Sequence, residues 1–132
     1  MYELLILLSA KSSASIEKLE AAVRAEFSTS KTQQPVSTSV QNGKLVVLVG
    51  EFHFFVQLAC GAEVLEESRE IAEQFAALHP SRKAIAEASC RFELMSDEDP
   101  MMDRFNDLIF MCQAAERLGS VYIFNPHARR FL

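Results

Sequence analysis

The sequence predicts an α+β fold, a two-layer sandwich in which three helices cover one face of an antiparallel or mixed sheet of five to six strands. The first observation is a block, residues 36–59, that is rich in β-forming residues and interrupted only by turn signals. The second is that segments with apolar residues at helical spacing alternate with short apolar runs outside this block. Strands joined by tight turns pair antiparallel, and helices then collect on a face of the sheet.

The block contains the strongest hairpin signal of the chain. Asn42-Gly43 separates an alternating run, 36–41, from the nearly all-apolar run 45–49. Asn and Gly suit a type I′ turn, because both central residues of that turn need positive φ. At Gly50 the chain forms either a second tight turn or a bulge in one long strand. The block therefore predicts two or three consecutive strands.

Before the block, the chain predicts a strand, a helix and a loop. Residues 2–9 are apolar on both faces, as expected for a strand in the middle of a sheet. A helix of three to four turns follows the serine-rich segment 9–15. Its buried stripe is predicted to be Ile16, Leu19, Val23 and Phe27. The polar segment 28–35 ends in proline and predicts a surface loop.

After the block, two further helices are predicted. The second helix should end at His79, because the following proline pushes His79 out of the α region. A strand over 88–94 comes next. The third helix should have Asp99 as its N-cap and Pro100 at its first position, and should end before Gly119.

The chain closes with a short strand, 121–124, and the tail 127–132. A frayed end is the expectation for this tail, and docking on a neighbouring subunit is the alternative. The predicted order is β-α-β-β-β-α-β-α-β, for which a ferredoxin-like topology is the leading interpretation.

Composition predicts one globular domain that spans residues 1–132. Apolar residues make up 49% and charged residues 23% of the chain, which is typical of a soluble protein. The net charge is -5 and the basic residues are scattered, so a nucleic-acid partner is not expected. No apolar segment approaches the roughly 20 residues that span a bilayer, so no membrane partner is expected either.

The cysteines and the amino-terminal segment predict a cytoplasmic location. Cys60, Cys90 and Cys112 are odd in number and far apart, which is typical of reduced thiols. The apolar run 4–8 is too short for a secretory signal.

The third helix carries the least ordinary pattern of the sequence. Its core side is predicted to comprise Met101, Met102, Phe105, Leu108, Ile109, Cys112 and Ala115. Phe110 falls opposite that side among charged residues. We therefore predict an interface formed by Phe110, Asp107, Ala114 and Arg117 that a second subunit covers. Packing against another part of the chain and simple exposure are the alternatives.

A second candidate site is a pocket between sheet and helices near Lys11, His53 and Cys60. Cys60 directly precedes a helix, whose first amide groups stabilise a thiolate. Lys11 lies in a strand-to-helix connection where backbone N–H groups bind anions. A structural histidine and a buried structural cysteine remain the favoured interpretations. The histidines have no metal-ligand spacing, so neither a metal nor a cofactor is expected.

The predicted function is a non-catalytic cytoplasmic interaction module that forms a homodimer through an outer helix or a sheet face. A small-ligand-binding protein or an enzyme that uses the pocket is the alternative. The outer face of the second helix carries Glu63, Glu66, Glu67, Glu70 and Glu73. This row is either a solvated surface or a docking surface for a basic protein.

Overall fold

The computed structural model describes residues 1–29 and 34–132, and its seven strands form one antiparallel sheet. The strands are β1 (Glu3–Leu8), β2 (Val36–Gln41), β3 (Lys44–Val49), β4 (Phe52–Cys60), β5 (Cys90–Ser96), β6 (Val121–Asn125) and β7 (Arg130–Phe131). The helices are α1 (Ile16–Thr29), α2 (Ala62–Phe75), α3 (Arg82–Ala86) and α4 (Phe105–Glu116). The α+β class and the antiparallel sheet are confirmed, whereas the predicted five to six strands and three helices are too few. Residues 30–33 of the predicted loop 28–35 lie outside the described residues.

The strand order is β2-β3-β4-β5-β1-β6-β7, and two tight turns build its first half. Asn42 has φ 53° and Gly43 has φ 77°, which confirms the predicted hairpin between β2 and β3. Gly50 has φ 62° and β3 pairs with β4 directly after it, so this break is a second turn rather than a bulge. The block 36–59 therefore forms three consecutive antiparallel strands.

The first strand lies in the interior of the sheet, as predicted. β1 pairs with β5 on one side and with β6 on the other. Leu4, Ile6 and Leu8 belong to one hydrophobic cluster, and Leu7 belongs to a second cluster across the sheet. A strand buried on both faces is apolar at successive positions, which explains the uninterrupted apolar run.

The helices cover both faces of the sheet rather than one. The larger cluster includes Leu19 of α1 and Met111 of α4, and the smaller one includes Ala72 of α2 and Ile85 of α3. The predicted placement of all helices on one face of the sheet is therefore wrong. β4 and β5 are paired neighbours, so the segment that connects them, which carries α2 and α3, can lie on either face of the sheet. The apolar residues on both sides of β1 are one local signal that both faces need cover.

The carboxyl-terminal tail returns to the sheet, so the expected frayed end is also wrong. Asn125 Oδ1 accepts hydrogen bonds from the backbone N–H groups of His127 and Ala128, which turns the chain back. Phe131 then pairs with Phe124 across β6 and β7. The tail extends the sheet by one short strand.

Two predicted helix boundaries shift. The final helix begins at Phe105 rather than Pro100, because residues before it form a turn with Met102 at φ 57°. Asp99 accepts hydrogen bonds from the backbone N–H groups of Asp103 and Arg104 in that turn. The second helix ends at Phe75, so its last predicted residues lie beyond it.

Candidate functional site

The predicted pocket near Lys11, His53 and Cys60 does not form. His53 and Cys60 lie near opposite ends of β4, seven residues apart, which corresponds to about 23 Å along an extended strand. Side chains alternate between the faces of a strand, so these two residues also point to opposite sides of the sheet. Lys11 is exposed in the turn that follows β1. The three side chains cannot act on one ligand.

Cys60 forms a disulfide bond with Cys90. The two residues are direct partners in the β4–β5 register, although 30 positions separate them in the chain. The prediction of three separate reduced thiols is therefore wrong for this pair, because sequence spacing does not reveal which strands are neighbours. Cys112 is a buried free thiol. Burial, reinforced by the charge of Glu116, raises the pKa of Cys112 to about 12, which makes it unreactive at neutral pH.

His53 has a structural environment. Its Nδ1 atom lies 2.8 Å from Asp97 Oδ2, and the same oxygen accepts a hydrogen bond from the His53 backbone N–H. The imidazole ring stacks on Phe55, with ring centroids 5.5 Å apart. Burial acts to raise the pKa of Asp97, but the hydrogen bonds from His53 hold it below its ordinary value. His53 thus joins the start of β4 to the end of β5.

The predicted interface around Phe110 is a contact within the chain. The ring of Phe110 packs edge to face on Phe27 of α1, with centroids 5.5 Å apart. Arg117 Nε donates a hydrogen bond of 2.5 Å to Glu26, which also lies on α1. Asp107 and Ala114 are buried. A single helix pattern does not reveal which neighbouring helix covers it. The described contacts match the alternative of packing against another part of the chain for Phe110, while Arg117 stays exposed.

Asp107 is a charged residue of this set whose carboxyl group is buried. Burial raises the pKa of its carboxyl group above the ordinary value, although Arg104 opposes this rise. The Arg104 Nη1 atom lies 3.6 Å from Asp107 Oδ2. The pair is part of the packing between helix and sheet.

Part of the predicted core side of the last helix is exposed instead. We call this region the α4 apolar surface. It comprises Met101, Met102, Phe105, Ile109 and Leu132. Met101 is 78% exposed, because it precedes the helix and lies in a turn. A shallow cavity of about 250 Å³ lies between this surface and β6, and Ile109, Cys112 and Ile123 line part of it.

A second incompletely covered surface lies on the sheet itself. α2 and α3 pack over one end of the sheet face that carries Leu7 and Phe124, and the remainder of that face has no helix on it within the described residues. We call this remainder the open sheet face. It comprises Glu3, Leu5, Lys44, Val46, Leu48, His53, Phe55, Gln57, Glu93 and Met95.

The register arranges the open sheet face in rows across four strands. One row is Val46, Phe55, Met95 and Glu3. The next row is Lys44, Gln57, Glu93 and Leu5. Phe55 and Met95 at the centre are 38% and 47% exposed. A groove of about 320 Å³ runs over these rows.

Charges are separated across the open sheet face. Arg91 Nη2 lies 2.8 Å from Glu93, and Arg91 Nη1 lies 2.6 Å from Glu67 of α2. Burial acts to raise the pKa of Glu93, but hydrogen bonds from Gln57 and Arg91 lower it overall. Glu93 therefore stays ionised at neutral pH. The acidic residues lie on β5 and β1, whereas Lys44 lies at the start of β3.

Sequence patterns indicated this surface only weakly. Phe54 and Phe55 are adjacent in β4, so one of them must point to each face of the sheet. Two large aromatic residues on opposite faces signal that both faces avoid water. Met95 lies one residue beyond the predicted end of its strand, so its pairing with Phe55 could not be anticipated.

Comparison with known protein families, with curated proteins and with solved structures found no match for this chain. Within residues 1–29 and 34–132, no helix is both long and apolar enough to cross a membrane. The same residues contain no group of three or more His, Cys, Asp or Glu side chains that is arranged to hold a metal ion.

Proposed function

We propose that this protein is a non-catalytic interaction module that self-associates through the open sheet face. The observation that carries the proposal is the exposure of Phe55 and Met95 side by side at the centre of that face. Half-buried Leu5, Val46 and Leu48 surround them. An apolar centre with a polar rim is typical of a protein interface.

A second copy of the chain fits this surface because the surface is complementary to itself. A two-fold axis parallel to the strands, between β4 and β5, brings Phe55 of one copy onto Met95 of the other. The same rotation places Lys44 of one copy over Leu5 of the other, and Val46 over Glu3. Apolar groups thus meet at the centre, and Lys44 lies two residues, or about 7 Å, along β1 from Glu3 of the other copy.

The size of the surface predicts weak association. Four strands and three rows of side chains span about 20 Å by 20 Å, or about 400 Å² on each copy. This area is half of the roughly 800 Å² that each partner buries in a standard specific interface. We therefore expect a monomer–dimer equilibrium in which the dimer forms only at high protein concentration.

A charge exchange tests the orientation of this dimer. Lys44→Glu should weaken self-association, because it places like charges at the rim. Mixing it with a Glu3→Lys variant should restore association as a heterodimer in sedimentation velocity. A Lys18→Glu variant is the matched control, because Lys18 is exposed on α1, which packs on the opposite face of the sheet. Failure of the mixture to associate, with each variant folded, would contradict the orientation.

A small-ligand-binding function is the second candidate, now at a different position from the predicted pocket. The groove of about 320 Å³ falls in the range of small-molecule sites, which is about 300–1,000 Å³. Its floor of Leu5, Phe55 and Met95 beside ionised Glu93 suits an apolar ligand with a cationic group. Equilibrium dialysis with alkyl amines tests it, and binding that persists in Phe55→Glu would exclude this groove.

Three finer proposals accompany the main one. We propose a ferredoxin-like core, in which β6-β1-β5-β4 with α1 and α4 follows the β-α-β-β-α-β order. We also propose a cytoplasmic location, which the Cys60–Cys90 disulfide bond does not support, since such bonds are rare in that compartment. A basic protein partner would bind α2, on which Glu63, Glu66, Glu70 and Glu73 are exposed. Titration with a lysine-rich peptide at low and high salt tests this partner, since such binding must weaken as salt rises.

A further inference from the structure

The disulfide bond lies at the base of a helical excursion. Cys60 ends β4 and Cys90 begins β5, and residues 61–89 between them carry α2 and α3. These cysteines are the last direct partners of the β4–β5 register. The bond therefore joins the two points at which the excursion leaves the sheet and returns to it.

The two sulfur-bearing residues differ in accessibility. Cys60 is exposed, whereas Cys90 is half-buried and packs against the larger hydrophobic cluster. An incoming thiolate approaches the more accessible sulfur first, and access is one of the factors that set the rate of thiol–disulfide exchange. Cys60 is also separated from α2 by Gly61 alone, and the amino-terminal end of a helix favours a nearby thiolate.

Contacts other than the disulfide bond also close the base of the excursion. The Gly61 backbone N–H donates a hydrogen bond of 3.0 Å to the Ser89 carbonyl oxygen. Buried Ser68 Oγ lies 2.7 Å from the Ala88 carbonyl oxygen and ties α2 to the chain just before β5. The β4–β5 ladder continues from Cys60 to Phe54. Reduction therefore need not open the fold, which allows the bond to cycle in the native protein.

We propose that Cys60–Cys90 is a site of reversible thiol–disulfide exchange with a dithiol, and that Cys60 is the sulfur attacked. One thiolate of the dithiol bonds to Cys60 Sγ, the Cys60–Cys90 bond breaks, and Cys90 leaves as a thiolate that takes a proton from water. The second thiolate of the dithiol then attacks the dithiol sulfur that is bonded to Cys60, and Cys60 leaves as a thiolate that takes a proton from water. The protein disulfide gains two electrons and two protons, and the dithiol becomes a cyclic disulfide.

Dithiothreitol is the probe for the first test. Native oxidised protein is treated with it, alkylated, and mapped by peptide mass spectrometry, while circular dichroism monitors the fold. We expect alkylation at Cys60 and Cys90 with the fold retained and with Cys112 unlabelled. Reduction that occurs only in denaturant would overturn the proposal.

Single-thiol variants test which sulfur reacts. Cys90→Ala leaves Cys60 as a free thiol, and Cys60→Ala leaves Cys90 as a free thiol. Each variant protein is mixed with an aromatic disulfide that releases a coloured thiolate when a protein thiol attacks it. The Cys90→Ala protein should form the mixed disulfide roughly tenfold faster than the Cys60→Ala protein, because Cys60 is the accessible thiol. Equal rates, or a faster reaction at Cys90, would contradict the assignment of Cys60. Buried Cys112 serves as the internal unreactive thiol in both variants.

Discussion

Phe110 of α4 packs edge to face on Phe27 of α1, with ring centroids 5.5 Å apart and ring planes 73° apart. This contact occupies the side of α4 that the sequence marks as unusual. The Arg117–Glu26 ion pair extends the same helix contact by about two turns. α1 therefore covers part of the Phe110 ring, and the large exposed apolar side chains lie elsewhere.

Phe110→Ala should destabilise the fold without changing the oligomeric mass. Phe110 is half-buried, so the loss of its contact with Phe27 should lower the free energy of unfolding by about 2 kcal/mol. Urea denaturation measures the free energy of unfolding, and light scattering measures the oligomeric mass. A variant of unchanged stability that dissociates would reinstate the predicted interface.

Ser68→Ala should weaken the attachment of α2 to the sheet. Ser68 is fully buried, and its hydroxyl group lies within hydrogen-bond distance of the carbonyl oxygens of Val64 and Ala88. Its removal leaves the Ala88 carbonyl without this donor, at a cost of about 1–3 kcal/mol. Exposed Ser89→Ala is the matched control and should change stability by less than about 0.5 kcal/mol. Equal unfolding midpoints for the two variants would refute this role of Ser68.

Asp99 should make stability depend on acidic pH. Burial acts to raise its pKa, but hydrogen bonds from the Tyr2 hydroxyl group and from the Arg104 and Asp103 backbones hold that pKa below its ordinary value. A depressed folded-state pKa stabilises the protein above the unfolded value of about 3.9, and this contribution is lost as the pH falls through the folded-state pKa. Asp99→Asn should therefore cost about 1 kcal/mol at pH 7 and less at about pH 2 in urea titrations, because the carboxylate becomes protonated as the pH falls. A constant difference at both pH values would exclude the carboxylate as the cause.

Removal of the disulfide bond should lower stability and leave the fold intact. The bond closes a loop of about 30 residues, which corresponds to roughly 3.5 kcal/mol in the chain-entropy model. The Cys60→Ser, Cys90→Ser double variant should therefore unfold at lower urea concentration with an unchanged circular dichroism spectrum. Loss of that spectrum would show that the β4–β5 ladder cannot hold the excursion alone.

The sequence predicted local features well and long-range ones poorly. Asn42-Gly43 and the stripe from Ile16 to Phe27 are set by turn chemistry and helical period, so the first hairpin and α1 form as expected. The side of the sheet on which α2 lies, the neighbour of Phe110 and the partner of Cys60 depend on packing between distant segments. No periodic pattern encodes those choices. The predicted site residues were therefore individually plausible but did not come together.

The most direct test of self-association compares Phe55→Glu with Phe105→Glu in sedimentation velocity over micromolar to millimolar concentrations. Both phenylalanines are exposed to a similar extent, 38% and 43%, but Phe55 lies on the open sheet face and Phe105 on the α4 apolar surface. We expect the wild type and Phe105→Glu to dimerise as concentration rises, and Phe55→Glu to remain monomeric. A monomeric wild type at every concentration, or a dimer that Phe55→Glu preserves and Phe105→Glu abolishes, would contradict the proposal.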